Sequence, residues 1–172
     1  VILTEASTLL LGATTIGGTF SATATTGDIT DSGALAITGA ATFITGATGS
    51  NIILDGSSNA FGAAVTMTAD DGTEAFGNIT FVDSAAIDLD SSASANGDLF
   101  INAGTDGALS GNLSITATTG NITQNIALTI GGTSSFTTSA SNATITLSTD
   151  SNAFTGAVSA VTAGSSGDVT ID

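Results

Sequence analysis

The feature that most constrains the fold is a repetition of the chain on itself at an offset of 93 residues. When residues 20–67 are set against 113–160 without a gap, 23 of the 48 pairs are identical. The large apolar residues, such as Leu35 with Leu128, carry this match, because Thr, Ala and Gly also coincide by chance in a chain so rich in them. Such a repeat predicts a solenoid, because each coil of a solenoid buries its apolar face only against its neighbours.

Within the repeat, large apolar residues occur in pairs two residues apart, separated by stretches rich in Gly, Asn, Asp and Ser. This spacing predicts short strands with one buried face, about ten per 93 residues. The pairs are Leu35/Ile37, Ile52/Leu54, Ile79/Phe81, Ile87/Leu89, Leu99/Ile101 and Leu113/Ile115. We expect one continuous solenoid segment over residues 1–172, with coils of about 18–24 residues, four or five to the repeat and seven to nine in all. At about 4.8 Å per coil the rod would be roughly 35–45 Å long.

The composition supports an all-β chain and restricts its partners. There is no Lys, Arg, His, Cys, Pro, Trp or Tyr, and the net charge is −15. Without a cation the chain cannot neutralise phosphates, which argues against nucleic acid and against anionic membrane surfaces. No run of 18 apolar residues is present, so we expect no membrane insertion. The remaining partners are neutral glycans, ice, divalent cations such as weakly bound Ca²⁺, and copies of the chain itself.

The run SGNLSITATTGNITQNIALTIGGTSSF, followed by ATITLSTDSNAFTGAV, resembles the repeats of filamentous-haemagglutinin-type bacterial surface adhesins, also described as β-strand-repeat proteins. Residues 20–67 and 113–161 fit this pattern closely, and 70–112 fit it more loosely. The resemblance implies a right-handed parallel β-helix, export to the bacterial cell surface, and a role in adhesion or in an extracellular filament. The chain starts at Val1 rather than Met and stops in a strand-like run, so we expect an excerpt of a longer protein.

Catalysis would have to rely on carboxylates, because the other usual acids, bases and nucleophiles except hydroxyls are missing. Two Asp residues can hydrolyse a glycosidic bond. The candidates are Asp70 and Asp71 with Glu74, and Asp88 with Asp90, whose carboxylates would stand about 6.5–7 Å apart on the outer face of one strand. Solvation of an exposed face is the favoured interpretation, so we predict no catalytic residue, no cofactor and no enzyme activity.

Oxygen ligands suitable for Ca²⁺ lie in the run DLDSSASANGD. They are Asp88, Asp90, Asn96 and Asp98. The run departs from the EF-hand pattern, with Ala93 at the Gly position and Leu99 at the final Glu position. We therefore predict no dedicated metal site, and leave open a fortuitous one at Asp70, Asp71, Asp88 and Asp90.

Two further patterns have structural as well as functional interpretations. Thr-x-Thr at 23–25, 66–68, 116–118 and 144–146 is compatible with an ice-binding face, although outward Thr is also common on strands. Asn-x-Ser/Thr at Asn78, Asn112, Asn121 and Asn142 is expected by chance in such a composition. We expect Asn59 and Asn152 at turns, where stacked asparagines bond between coils.

The predicted function is structural or adhesive, as a stiff rod or filament element of a bacterial extracellular protein. The alternatives are a glycan- or ice-binding module and an Asp-dependent polysaccharide-degrading enzyme. GNITQNIALTI repeats the pattern of GDITDSGALAIT, and we interpret each of them as one unit of a solenoid. In that interpretation Asp31-Ser32-Gly33, replaced by Gln124-Asn125-Ile126, faces solvent or a turn, and only its length matters.

Overall fold

Short strands of the chain stack in parallel, coil upon coil, in the computed structural model, which describes residues 1–69, 76–90, 92, 95–102 and 108–172. The result is an all-β solenoid of about 6 turns. Thr, Ile, Val and Phe favour the extended backbone of the strands, and Gly, Asn and Asp favour the turns between them. In the described part of the chain there is no helix that could cross a membrane.

The strands are β1 (Ile2–Glu5), β2 (Leu9–Leu11), β3 (Thr14–Ile16), β4 (Phe20–Ala24), β5 (Ile29–Asp31), β6 (Leu35–Ile37), β7 (Ala41–Thr45), β8 (Ile52–Leu54), β9 (Ala60–Phe61), β10 (Val65–Ala69), β11 (Ile79–Asp83), β12 (Ile87–Leu89), β13 (Asp98–Ile101), β14 (Leu113–Ala117), β15 (Ile122–Gln124), β16 (Thr129–Ile130), β17 (Ser134–Ser141), β18 (Ile145–Leu147), β19 (Ala153–Phe154), β20 (Val158–Ala163) and β21 (Val169–Ile171).

These strands form four parallel sheets that run along the solenoid axis. A nine-stranded sheet has the order β1-β4-β7-β10-β13-β12-β15-β18-β21, and a seven-stranded sheet has the order β2-β5-β8-β11-β14-β17-β20. A three-stranded sheet, β3-β6-β9, completes the N-terminal coils, and a two-stranded sheet, β16-β19, completes the C-terminal ones. Each regular coil therefore contributes three strands.

The core lies inside the coils, as the apolar pairs predicted. Both members of five of the six pairs are buried; in the sixth, Leu99 is buried and Ile101 is half-buried. Phenylalanine rings stack from coil to coil along the interior, with centroids 5.7 Å apart for Phe20 and Phe43 and 6.1 Å apart for Phe43 and Phe61. Dispersion contacts between coils thus supplement the backbone ladders.

Coil length agrees with the prediction at both ends of the chain and departs from it in the middle. Ile2 pairs with Ser21 and Ala41 pairs with Val65, which gives coils of 19 to 24 residues. Across the centre, Ile87 pairs with Ile122, 35 residues away. The predictions of four or five coils per repeat and of seven to nine coils in all were therefore wrong. The ten strands β4–β13 make up only about three and a third turns, because every regular turn takes three strands and the central turns are longer. Six coils correspond to a rod of about 29 Å.

The sheets exchange their partners in the middle of the molecule. In the N-terminal half, the first strand of each coil (β4, β7, β10) lies in the nine-stranded sheet and the second (β5, β8, β11) in the seven-stranded sheet. In the C-terminal half, the equivalent first strands (β14, β17, β20) lie in the seven-stranded sheet and the second (β15, β18, β21) in the nine-stranded sheet. Since β14, a first strand, stacks on β11, a second strand, and β15 stacks on β12, the second copy of the repeat is turned about the axis by one face relative to the first.

The exchange is built around β13. This strand lies between β10 and β12 in the nine-stranded sheet, with Leu99 opposite both Val65 and Leu89. Its first residues pair with β12 and its last with β10. Meanwhile β11 continues the register of β8 and provides the strand on which β14 stacks. Strand β13 thus ends the first series of coils and starts the second.

A column of glycines lets consecutive coils approach closely beside the seven-stranded sheet. A β-carbon on Gly111 would lie 2.2 Å from the carbonyl oxygen of Gly77, and one on Gly132 would lie 2.4 Å from that of Gly111. Gly156 repeats the contact, with 2.3 Å to the carbonyl oxygen of Gly132. No other residue can occupy these positions without moving the backbone of the neighbouring coil.

Candidate functional site

A ladder of polar side chains runs along one corner of the seven-stranded sheet. Its members immediately precede β5, β8, β11, β14 and β17 and are Asp28, Asn51, Asn78, Asn112 and Thr133. The Asn51 backbone N–H donates to the Asp28 carboxylate at 2.7 Å, and the Asn78 backbone N–H donates to Asn51 Oδ1 at 2.8 Å. The backbone N–H of Asn112 donates to Asn78 Oδ1 at 2.9 Å, and that of Thr133 to Asn112 Oδ1 at 2.8 Å. One chain of hydrogen bonds thus links five coils.

The ladder gives the Asn-x-Ser/Thr sites a structural role. The Asn78 side-chain amide donates to Asn51 Oδ1 at 2.8 Å. Asn121 accepts from the Thr144 backbone N–H, and Asn142 accepts from that of Ser166. The composition had suggested that these sequences occur by chance, whereas all four asparagines bond from one coil to the next.

Asn59 and the half-buried Asn152 bond between coils at corresponding corners of the two repeat copies, as expected, although their side-chain partners are Asp31 and Gln124 rather than stacked asparagines. Asn59 is fully buried, accepts the backbone N–H of Leu35 at 2.9 Å, and donates to Asp31 Oδ2 at 2.7 Å. In the second copy Asn152 accepts the N–H of Leu128 at 2.9 Å and donates to the side chain of Gln124 at 3.0 Å.

The interpretation of Asp31 as a residue whose identity does not matter was therefore wrong. Its carboxylate accepts the backbone N–H groups of Asp55 and Gly56 as well as the Asn59 amide. Gln124 replaces it because an amide oxygen also accepts from asparagine. The change from a charged to a neutral group conserves a hydrogen bond between coils.

Asp83 is a carboxylate that points into the solenoid at the end of β11. The side chain is only 3% exposed, and its Oδ1 accepts the backbone N–H of Phe61 at 3.1 Å. Desolvation raises the pKa of Asp83, while hydrogen bonds from Phe61, Ser84 and Ala85 act in the opposite direction and do not cancel the effect of burial. Sequence reasoning did not single out this residue, since the inward alternation of Ile79, Phe81 and Asp83 was its only signal.

An acidic cluster forms beside the sheet exchange. Asp88 lies on β12, Asp90 follows that strand, and Asp98 begins β13, which pairs with β12. Carboxylate oxygens of the three residues lie within 4.8 Å of one another, and Asp98 is largely buried. Asp88 also accepts the hydroxyl of Thr123 at 2.8 Å, and Asp98 accepts the backbone N–H of Ala95.

The cluster brings together three of the four residues that the sequence suggested for Ca²⁺. Asn96, the fourth, lines a surface depression of about 290 Å³ together with Asp88. The oxygens of Asp88 and Asp90 approach more closely than the 6.5–7 Å expected for adjacent outward positions, because Asp90 lies just beyond the end of β12. Hard carboxylate oxygens so arranged can chemically ligate a divalent cation. Asp70, Asp71 and Glu74 lie outside the described residues.

The Thr-x-Thr sequences do not form a common array. Only Thr66 and Thr68 stand together on the outward side of one strand, β10. In the other three sequences, one threonine lies beyond the end of its strand, as Thr25 follows β4. The outward faces of the sheets instead carry mixed Ser, Thr and Ile side chains, such as Ser114, Ser135 and Ile53.

Comparison with known families finds a match to a family described as "Repeats of unknown function (DUF5649)". The match covers residues 1–68 and 76–161, and so most of the chain. The chain belongs to the DUF5649 repeats. No curated protein and no solved structure shows significant similarity to it. The gap between the two matched segments of the DUF5649 repeats begins at the last residue of β10 and ends before β11, where the long central coils begin.

Proposed function

We propose that this DUF5649 segment is a stiff structural rod in a bacterial extracellular or cell-surface protein, of the filamentous-haemagglutinin type that its repeats resemble. Its contribution is mechanical: it extends a surface protein or builds a filament, and holds an adhesive region away from the cell. The observation that carries the proposal is the uninterrupted bonding along the axis. Both main sheets run from the first coils to the last, and the ladder from Asp28 to Thr133 accompanies one of them.

Three arrangements support stiffness. Within the two main sheets, consecutive coils pair through parallel ladders, the glycine column keeps the coils in close contact, and the phenylalanine stack fills the interior. In such quasi-one-dimensional proteins, stability is the sum of contacts between neighbours, so length can grow by duplication without a new fold. The 93-residue repeat is consistent with that mode of growth.

The rod can be tested by electron microscopy of the whole parent protein and of versions in which 93-residue repeats have been deleted. Each deleted repeat should shorten the particle by about 16 Å, since it removes about three and a third coils. A particle whose length does not change with repeat number would contradict the proposal. For location, an antibody against this segment should label intact cells as strongly as permeabilised ones; labelling only after permeabilisation would place the protein inside.

The adhesive alternative concerns the segment itself rather than a region that it carries. Outward Ser and Thr side chains on both main sheets are suited to a neutral glycan. A glycan array probed with the 172-residue chain separates the two functions. Binding to a defined glycan would make this segment a binding module, and the absence of binding agrees with a rod.

We also propose that the acidic cluster binds Ca²⁺ weakly. The three carboxylates of Asp88, Asp90 and Asp98 converge on one region, and the chain has no basic side chain to neutralise them. Calorimetric titration with CaCl₂ should give a dissociation constant of about 0.1–1 mM, the range of extracellular calcium modules. Asp98→Asn should abolish this heat and Asp150→Asn, in an exposed turn, should leave it unchanged. Equal heats for the two variants would refute a site at the cluster.

A further inference from the structure

The three-stranded sheet ends at β9, where a side chain takes the place of the next strand. On the earlier coils of this sheet, β3 pairs with β6 and β6 pairs with β9. Among the described residues no strand pairs with the next edge of β9, and the Phe61 N–H on that edge donates to the Asp83 carboxylate instead. A side-chain oxygen thus takes the place of the next strand's carbonyl. Asp83 is the cap that closes this sheet where the two repeat copies join.

The cap is an acidic group in a chain that has no basic side chain to compensate its charge when it is ionised. There is no Lys, Arg or His in 172 residues. The titratable groups on the elements beside β11 are all acids: Asp55 follows β8, Asp88 lies on β12, and β14 has none. Asp31 is linked to the same corner through Asn59, whose backbone carbonyl accepts the backbone N–H of Ser84. Only hydrogen bonds or a proton can therefore stabilise the Asp83 carboxyl group.

The same function is performed by neutral groups elsewhere. Asn59 Oδ1 accepts the N–H of Leu35, and Asn152 Oδ1 accepts that of Leu128, each at 2.9 Å. An amide is thus sufficient to cap a strand edge inside this solenoid. The carboxyl group at the joint adds a property that the amides lack, which is a charge that depends on pH.

We propose that Asp83 is a proton-operated latch at the joint between the two repeat copies, closed more firmly when its carboxyl group is protonated. The joint comprises β9, β11 and β12, with the long coils on either side. The latch sets how readily these strands open, while the regular coils at the two ends of the rod are unaffected by it.

The sign of the effect follows from linkage. Burial raises the pKa of Asp83 in the folded chain above the value of 3.8 that it has when exposed. Folding therefore takes up a proton in the pH range between these two pKa values, and the stabilisation of the joint is complete below the lower one. It is lost as the pH rises through the pKa of the folded state. The joint should be firmest in acid and loosest at neutral pH.

Hydrogen exchange with mass spectrometry on the 172-residue chain tests this locally. Protection, corrected for intrinsic exchange rates, is measured between about pH 4.5 and about pH 7.5. In the unmodified chain, protection of residues 76–90 should rise several-fold more on acidification than protection of residues 134–147. An equal rise in both segments would overturn the proposal without any variant. Because residues 134–147 contain no acidic residue, relief of repulsion between carboxylates would also favour residues 76–90, and the variants below separate that cause from Asp83.

Two variants identify the group. Asp83→Asn keeps an acceptor for the Phe61 N–H. It should remove the pH dependence by which the hydrogen-exchange protection of residues 76–90 exceeds that of residues 134–147. Asp55→Asn, at an exposed acid on the neighbouring coil, should leave it intact. The proposal is also wrong if Asp83→Asn folds and retains the full difference between the two segments. Rod length and surface labelling do not enter this test, so its outcome is independent of the structural function proposed above.

Discussion

At the corners of the solenoid, single amide and carboxyl side chains do the hydrogen bonding that strands do along the faces. Backbone N–H groups at these corners would otherwise lack an acceptor, and a buried unpaired donor costs about 1–3 kcal/mol. Asn59 and Asn152 meet this requirement at corresponding corners of the two copies. These two residues are therefore structural, although asparagine in a turn is usually replaceable.

Asn59→Ala is expected to destabilise the chain by about 1–3 kcal/mol, because it removes the acceptor of Leu35 N–H and the donor to Asp31. The loss would be measured as a lower urea midpoint by circular dichroism. Asn125→Ala, in an exposed turn, is the control and should change the midpoint little. Equal midpoints for the two variants would show that the buried amide contributes nothing.

For Ser134 we expect that substitution by alanine stabilises the chain. Its hydroxyl is buried at the start of β17 and has no hydrogen-bond partner among the described residues. The equivalent residue of the first copy is Ala41, which is also buried. Ser134→Ala should therefore raise stability by about 1 kcal/mol, since a desolvated hydroxyl is removed without loss of a bond. Ser135→Ala, with a half-exposed hydroxyl, should be close to neutral, and a fall in the midpoint of Ser134→Ala would contradict this account.

The residue scale is where sequence reasoning was least successful. The inward apolar residues were predicted correctly, because a period of two in the sequence corresponds directly to the two sides of a strand. The functions of Asp31 and Asp83 were missed, since both are decided by a donor on another coil. The convergence of Asp88, Asp90 and Asp98 was anticipated from their closeness in sequence.

At the scale of elements, the glycine column sets the distance between coils. Gly111→Ala should destabilise the chain by about 1–3 kcal/mol or prevent folding, because the added carbon would lie 2.2 Å from the Gly77 carbonyl oxygen. Gly46→Ala is the matched control, since the nearest atom to its added carbon is 3.5 Å away. Thermal melting by circular dichroism compares them. The close-packing argument fails if the two variants have the same melting temperature.

The strands themselves could be predicted from the sequence, and their assignment to sheets could not. Ten strands per repeat follow from the apolar pairs. Which sheet a strand joins depends on the length of the coils before it. The central coil from Ile87 to Ile122 has 35 residues, against 23 for the next coil from Ile122 to Ile145. Strand β13 carries no signal that it would lie between β10 and β12. The exchange of sheets is therefore a property of the connections rather than of the strands.

At the scale of the whole molecule, charge is unevenly distributed along the rod. Eleven of the 15 acidic residues lie in residues 1–98, and residues 107–149 contain none. With no basic side chain, repulsion between rods depends on the carboxylates alone. The C-terminal half is therefore the region where lateral contact between rods is least opposed.

Acidification to about pH 4, or millimolar Ca²⁺, should make the rods bundle, because both reduce the charge that separates them. Static light scattering of the 172-residue chain should rise in each titration. NaCl at the ionic strength of the Ca²⁺ titration is the control, and should have a smaller effect if carboxylates bind the cation. Scattering that stays constant in both titrations would contradict the expectation.

The exchange of sheets also decides how a longer rod looks from outside. Because the second copy of the repeat is turned by one face, equivalent outward side chains such as Ser21 and Ser114 look in different directions. If each further 93-residue step turns the chain in the same way, successive repeats show the same side chains around the whole circumference. Such a rod has no front or back, and a neighbour arriving from any direction meets the same surface.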